Sequence, residues 1–178
     1  MKTMIFSLIV ILSHFSAVKA QDATFSKVLE KVLADYPQSF KNVRGELIME
    51  DEEEQRYSSK LELPGAMDCL VSMPMSGERK LAKWEALCFS SASFDDAVNN
   101  YKKLHDQLLK STLKLGKSSA RLRGEYAVPN ADESFTSIIY NINPASASFR
   151  KVKIELELVH VLEEWRVNLR VGSGDFSE

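Results

Sequence analysis

Histidine, cysteine, glycine and proline are all scarce in this chain: 3, 2, 7 and 5 of 178 residues. Each shortage removes a class of chemistry. Once an expected leader is removed, only His105 and His160 remain, far apart in sequence and without ligand spacing, so no zinc site of the usual pattern can be assembled. The glycines form no P-loop and no dinucleotide fingerprint, and neither a G-x-S-x-G elbow nor an H-E-x-x-H helix occurs. Gly45 and Gly124 stand singly at strand starts and read as bends. No Pro/Gly-rich linker divides the chain. Lys and Arg number 23 against 25 Asp and Glu, a formal charge of −2. That balance lacks the basic face expected of a nucleic-acid binder. No cofactor is expected.

One long apolar run exists, and it lies at the start. Met1–Ala20 carries Lys2, an apolar core from Met4 to Leu12, and small residues at Val18-Lys19-Ala20, the pattern of a secretory signal peptide. His14, Ser16 and Lys19 leave the run short of a membrane span, which needs about 20 apolar residues. Gln21 follows the cleavage site where a lipoprotein would have cysteine. The expected product is secreted or periplasmic, has no transmembrane segment, and carries 21 basic against 25 acidic residues, a charge of −4. Residues 21–174 are expected to form one domain, with 175–178 as a loose tail.

In an oxidising compartment two cysteines read as a disulfide, Cys69–Cys88. Strands over Met67–Met73 and Leu81–Ser90 around a turn at Ser76-Gly77-Glu78-Arg79 would place 69 opposite 88. Directly opposed Cα atoms about 4.5 Å apart fall near the lower end of disulfide geometry, and the closed loop would contribute roughly 3 kcal/mol. Without a C-x-x-C motif or a neighbouring cation, a redox role is disfavoured.

Ser93–Leu115 has the strongest helical pattern. Apolar side chains recur at Ala97, Tyr101, Leu104, Leu108, Thr112 and Leu115, steps of three and four that share one helix face. Ser93 with Asp96 reads as an N-terminal cap, and Gly116 as a helix stop. Thr24–Tyr36 has similar spacing and ends at Pro37. Strands are expected over Phe40–Met49, Tyr57–Leu63, Arg121–Val128 and Phe135–Asn143, followed by two with period-two alternation. In the first, Ile154, Leu156 and Leu158 alternate with Lys153, Glu155 and Glu157. In the second, Trp165, Val167, Leu169 and Val171 alternate with Arg166, Asn168 and Arg170. Such alternation indicates sheets with one wet face.

Landmarks recur at offsets of 78–81 residues: Arg44-Gly45-Glu46 with Arg123-Gly124-Glu125, Tyr57-Ser58-Ser59 with Phe135-Thr136-Ser137, Pro64 with Pro144, and Trp84 with Trp165. The expected fold is therefore α+β. It is a two-layer sandwich with two helices on one face of a largely antiparallel sheet of about eight strands, built from pseudo-repeats 24–90 and 93–172 of helix plus four strands. Glu46 and Glu125, and Trp84 and Trp165, are the repeat-equivalent positions that could mark an interaction surface. The run Glu50–Glu54 reads as a solvated turn, since consecutive carboxylates point in alternate directions and do not converge on a cation.

The function indicated is an exported, non-catalytic binding module contacting a protein or envelope component through a sheet face or edge. A second possibility is a carrier of a small apolar ligand between helices and sheet, suggested by Phe25, Phe40, Tyr57, Trp84, Phe89, Tyr126, Tyr140 and Trp165. A third is an enzyme built on paired carboxylates, for which no motif speaks.

Overall fold

A computed structural model describes residues 24–75, 82–145 and 147–173. The expected leader, the expected turn at Ser76–Arg79 and the expected tail lie outside the described residues. The fold is α+β, with one large antiparallel sheet of nine strands and two helices among the described residues. Helix α1 spans residues 24–35, and a single 3-10 turn over Tyr36–Gln38 follows it. Strands β1 (Arg44–Glu50), β2 (Glu54–Ser59), β3 (Asp68–Pro74) and β4 (Lys83–Ser91) come next, then helix α2 (Phe94–Lys110). The chain closes with β5 (Thr112–Leu115), β6 (Ser118–Arg123), β7 (Phe135–Asn143), β8 (Lys153–Val161) and β9 (Glu164–Gly172). In space the strands run β1-β2-β3-β4-β9-β8-β7-β6-β5, so the last strand docks beside the fourth at the centre.

Helix α2 begins as its sequence indicates: Ser93 is the N-cap and its hydroxyl accepts the Asp96 N–H, satisfying a donor with no partner inside the helix. It ends earlier than expected. The backbone turns extended at Ser111, whose hydroxyl donates back to the Gln107 carbonyl. Thr112–Leu115 then forms a ninth strand in place of a last helical turn. Leu113 and Leu115 are buried and Thr112 and Lys114 exposed, so the period is two and not 3.6. Gly116 does not stop a helix. At φ 66° it helps turn the two-residue connection to β6, where Leu115 pairs with Ser118; glycine enters that region without a Cβ clash. The strand expected over Arg121–Val128 is likewise displaced, to Ser118–Arg123.

Alternation along the strands sends one set of side chains into a single core with both helices. Phe25, Leu29, Val32 and Leu33 of α1 and Ala97, Tyr101 and Leu108 of α2 meet Val71, Trp84, Ile154, Leu156, Val167 and Leu169 there. The two ends of the sheet are treated differently. At β5 the outward Lys114 N–H is taken by the Glu30 carboxylate of α1, 2.7 Å away. At the other end β1 carries two register shifts and exposes Leu47, Ile48 and Met49; irregular pairing of this kind blunts a sheet edge.

The two cysteines are unbridged. Cys69 pairs with Ala86 and Val71 with Trp84, so the β3–β4 ladder is displaced by two residues from the register a 69–88 bridge requires. Cys88 falls instead at a register shift between Leu87 and Phe89. Burial pushes the Cys88 thiol up to about 12, with Cys69 adding to the rise, and burial also raises Cys69. Neither is set up as a thiolate nucleophile.

Candidate functional site

The strand residues that point away from the core form the most concentrated chemistry in the molecule. On β8 these are Lys153, Glu155, Glu157 and Val159; on β9, Arg166, Asn168 and Arg170; on β4, Lys83, Glu85 and Leu87. Register aligns them in rows. Glu155 faces Arg170, which faces Glu85; Glu157 faces Asn168, which faces Leu87. Opposite charges directly across a strand pair attract, and here one guanidinium serves three carboxylates. Arg170 Nε donates to Glu85 Oε2 at 2.8 Å and Nη1 to Glu157 Oε2 at 2.8 Å, while Glu155 Oε2 stands 3.9 Å from Nη1. Asn168 Nδ2 also donates to Glu157, at 3.3 Å.

Two of the three carboxylates are nearly dry. Glu155 and Glu157 are each 3% exposed, an unusual state for carboxylates outside the apolar core. Desolvation raises the Glu157 pKa despite the opposing pull of Arg170 and Asn168. For Arg170, desolvation disfavours the charge but Glu85, Glu157 and Glu155 more than offset it, so its pKa is raised. Three buried side-chain polar atoms have no hydrogen-bond partner among the described residues, and two are on this face: Glu155 Oε2 and Arg166 Nε, the third being the Tyr101 hydroxyl on the helix side. Beside the cluster runs a groove of 380 Å³ lined entirely by residues of β2, β3, β4, β8 and β9, with Leu70, Leu87, Val159 and Val161 among its apolar walls.

A second polar group lies on the helix side. His105 is buried on α2, its Nδ1 2.7 Å from the Tyr140 hydroxyl, with the Tyr126 ring 5.1 Å away. Gly124 explains how Tyr126 gets there. A Cβ at that position would lie 2.8 Å from the Tyr140 ring and 2.9 Å from Ile138, so only glycine lets the chain pass this close to β7. Burial lowers the His105 pKa, partly countered by Asp106. Because the folded state resists the proton, this residue's contribution to stability is complete above its unfolded pKa of about 6.5 and is lost as pH falls from there through the lower folded value. Urea melts of His105→Gln should lack that component of the acid loss; identical pH slopes in the two proteins would contradict it.

The positions singled out in the sequence are scattered by the fold. Trp84 is a core residue whose Nε1 donates to Ser59 Oγ at 3.0 Å. Trp165 lies at the far end of the β4–β9 ladder, edge-on to Phe94 at 4.8 Å and stacked on His160 at 4.6 Å. Glu46 is exposed on edge strand β1, and Glu125 is exposed just beyond β6 on the opposite flank. None of the four joins the ion cluster. The acidic run makes the β1–β2 turn: Asp51 accepts the Glu53 and Glu54 N–H groups at 2.9 and 2.8 Å, which lowers its pKa. Among the described residues no three His, Cys, Asp or Glu side chains are grouped to hold a metal ion, and no helix is long and apolar enough to cross a membrane.

Arg170, Glu85, Glu155, Glu157 and Asn168 were not singled out beforehand. The alternation of polar residues on the two last strands was visible, and pairing those strands across Leu162-Glu163 would have placed Glu155 opposite Arg170. No protein-family model, curated protein or solved structure matches the chain.

Proposed function

We propose that this chain is an exported, non-catalytic binding module that contacts a protein partner through the sheet face opposite its helices. The observation that carries the reading is the Arg170 cluster, a half-buried ion network on a face whose groove is lined by strands alone. Half-buried Leu70, Leu87 and Val159 flank it, giving the mix of apolar area and polar anchors typical of a contact surface. The carboxylates converge on a guanidinium as its counter-ions, an arrangement that favours a fixed network over an acid–base pair. The aromatic residues of the carrier reading argue against that alternative, because Phe25, Phe40, Trp84 and Tyr140 are fully buried and fill the core. Export is proposed on the leader-like Met1–Ala20, and a protein partner is preferred to nucleic acid on the acidic balance.

The same reading takes 24–90 and 93–172 as two versions of one unit. Supporting it are the strand order, symmetric about β4 and β9, the placement of Trp84 and Trp165 on the core side of those two strands, and the tight packing of Gly45 and Gly124 against a neighbouring strand. Strand β5 has no counterpart in the first half.

A photo-crosslinker at Val159 tests the surface, with one at Lys103 on the outer side of α2 as control, each in the full chain produced in its native host. The partner should be captured from Val159 and not from Lys103. Capture from Lys103 alone would move the site to the helix side and overturn the reading.

A further inference from the structure

Resting on that reading, we infer that the groove beside Arg170 receives a single cationic side chain, lysine or arginine, from an extended segment of the partner protein.

The argument starts from charge. Two of the groove's three guanidinium groups have carboxylates outside it: Arg56 pairs with Glu54, and Arg166 reaches Glu164 through Nη2 at 3.5 Å, its Nε having no partner among the described residues. Lys83 and Lys153, one step along the same strands, have interactions of their own. What remains is Arg170 facing Glu85, Glu157 and Glu155, with the exposed Asp68 lining the same groove: one cation against three carboxylates and a fourth nearby. Like charges held together away from water repel more strongly than at the surface, so the cluster is short of positive charge as it stands.

The shortage is visible as an atom. Glu155 is 3% exposed and its Oε2 has no hydrogen-bond partner among the described residues, Arg170 Nη1 standing 3.9 Å away. Arg170 is stretched between Glu85 and Glu157 and does not close that gap. An incoming ammonium or guanidinium that takes Glu85, in the groove that Asp68 also lines, releases Arg170 to turn onto Glu155. Glu85 suits the entry role: its side chain is 35% exposed, against 4% and 5% for Glu155 and Glu157. A metal ion does not fit, because Arg170 occupies the point where the carboxylates would converge on it. The walls Leu70, Leu87, Val159 and Val161 would take the aliphatic stem of the side chain and its neighbours, as long cationic side chains lay their methylenes on apolar surface.

The test uses the full chain and short extended peptides that differ at one central position: arginine, lysine, or citrulline as the neutral isostere of arginine. By calorimetry the arginine or lysine peptide should bind at least about tenfold tighter than the citrulline peptide, a difference of about 1.4 kcal/mol. Glu85→Gln and, separately, the exposed Asp68→Asn should each shrink that preference, and Lys103→Gln should leave it. Equal binding of the three peptides, or a preference that survives both groove variants, overturns the inference. Free arginine amide binding as tightly as the arginine peptide overturns the assignment to a protein segment. If Val159 still crosslinks a partner while the charge preference is absent, only this inference falls; if Val159 captures nothing, the contact surface itself is wrong.

Discussion

Arg170→Met should destabilise the protein by about 3–5 kcal/mol, whereas Glu157→Gln should change stability by less than about 1 kcal/mol. Both substitutions remove one charge from the same cluster, so the asymmetry is the informative part. Arg170 lies within 4 Å of each of Glu85, Glu155 and Glu157. Methionine fills similar space but leaves three carboxylates facing one another, two of them 3% exposed. Removing one partner of a buried ion network is costly because of the uncompensated charge left behind. Glutamine at 157 does the reverse. It takes away one of three negative charges, keeps a carbonyl oxygen for Asn168 Nδ2, and leaves Arg170 with Glu85 and Glu155.

The pH dependence separates the two further. Burial raises the Glu157 pKa above its ordinary value of 4.5, so the folded state holds this proton more tightly than the unfolded chain does. Its contribution therefore grows as pH falls through the folded value and levels off below about 4.5. Glu157→Gln should lack that gain. Urea denaturation of the three proteins at pH 7 and pH 5 reads both effects, and a loss under about 1 kcal/mol for Arg170→Met would mean that water compensates the cluster.

Much of this cluster was written in the chain, yet it needed a register to be read. Lys153, Glu155 and Glu157, and Arg166, Asn168 and Arg170, alternate with apolar residues, which fixes the face they share. Which carboxylate meets which cation depends on where the hairpin folds. There the sequence holds no glycine: Leu162 and Glu163 take positive φ values of 51° and 68°, a conformation usually left to Gly, Asn or Asp. The same dependence misled the cysteine pairing, since a two-residue displacement keeps every side chain on its face but moves the partner of Cys69 from Cys88 to Ala86. Glu85 joins through a third strand that is 85 residues from Arg170 in sequence, a separation no local pattern reports.

The ninth strand was hidden for another reason. Leu108, Thr112 and Leu115 continue the helical spacing of α2, while Thr112–Leu115 also satisfies a period of two. Over four residues the two patterns cannot be told apart. What decides is outside the segment: Ser111 ends the helix, Gly116 allows a tight turn, and Glu30 of α1 caps the new edge.

Trp84→Ala should cost about 3–5 kcal/mol, the range for emptying a buried aromatic site. Trp84 has no exposed surface and belongs to β4, in the middle of the nine strands. Neighbouring strands cannot close such a space without breaking the ladders to β3 and β9. Trp84→Phe should lose clearly less. The ring still fills most of the volume, and Ser59 Oγ, deprived of the indole N–H, still bonds the Leu61 N–H at 3.1 Å and carbonyl at 2.8 Å. Trp165→Ala should also lose less than Trp84→Ala. Its site is 8% exposed and lies at the other end of the central ladder, beside the half-buried Phe94 and the exposed His160; the lost edge-on contact contributes about 0.5–1.5 kcal/mol beyond area burial. The two tryptophans would then differ in energy because one is enclosed by the sheet and the other borders its end. Equal losses measured by urea unfolding would show that the end of the ladder is as tightly closed as its centre.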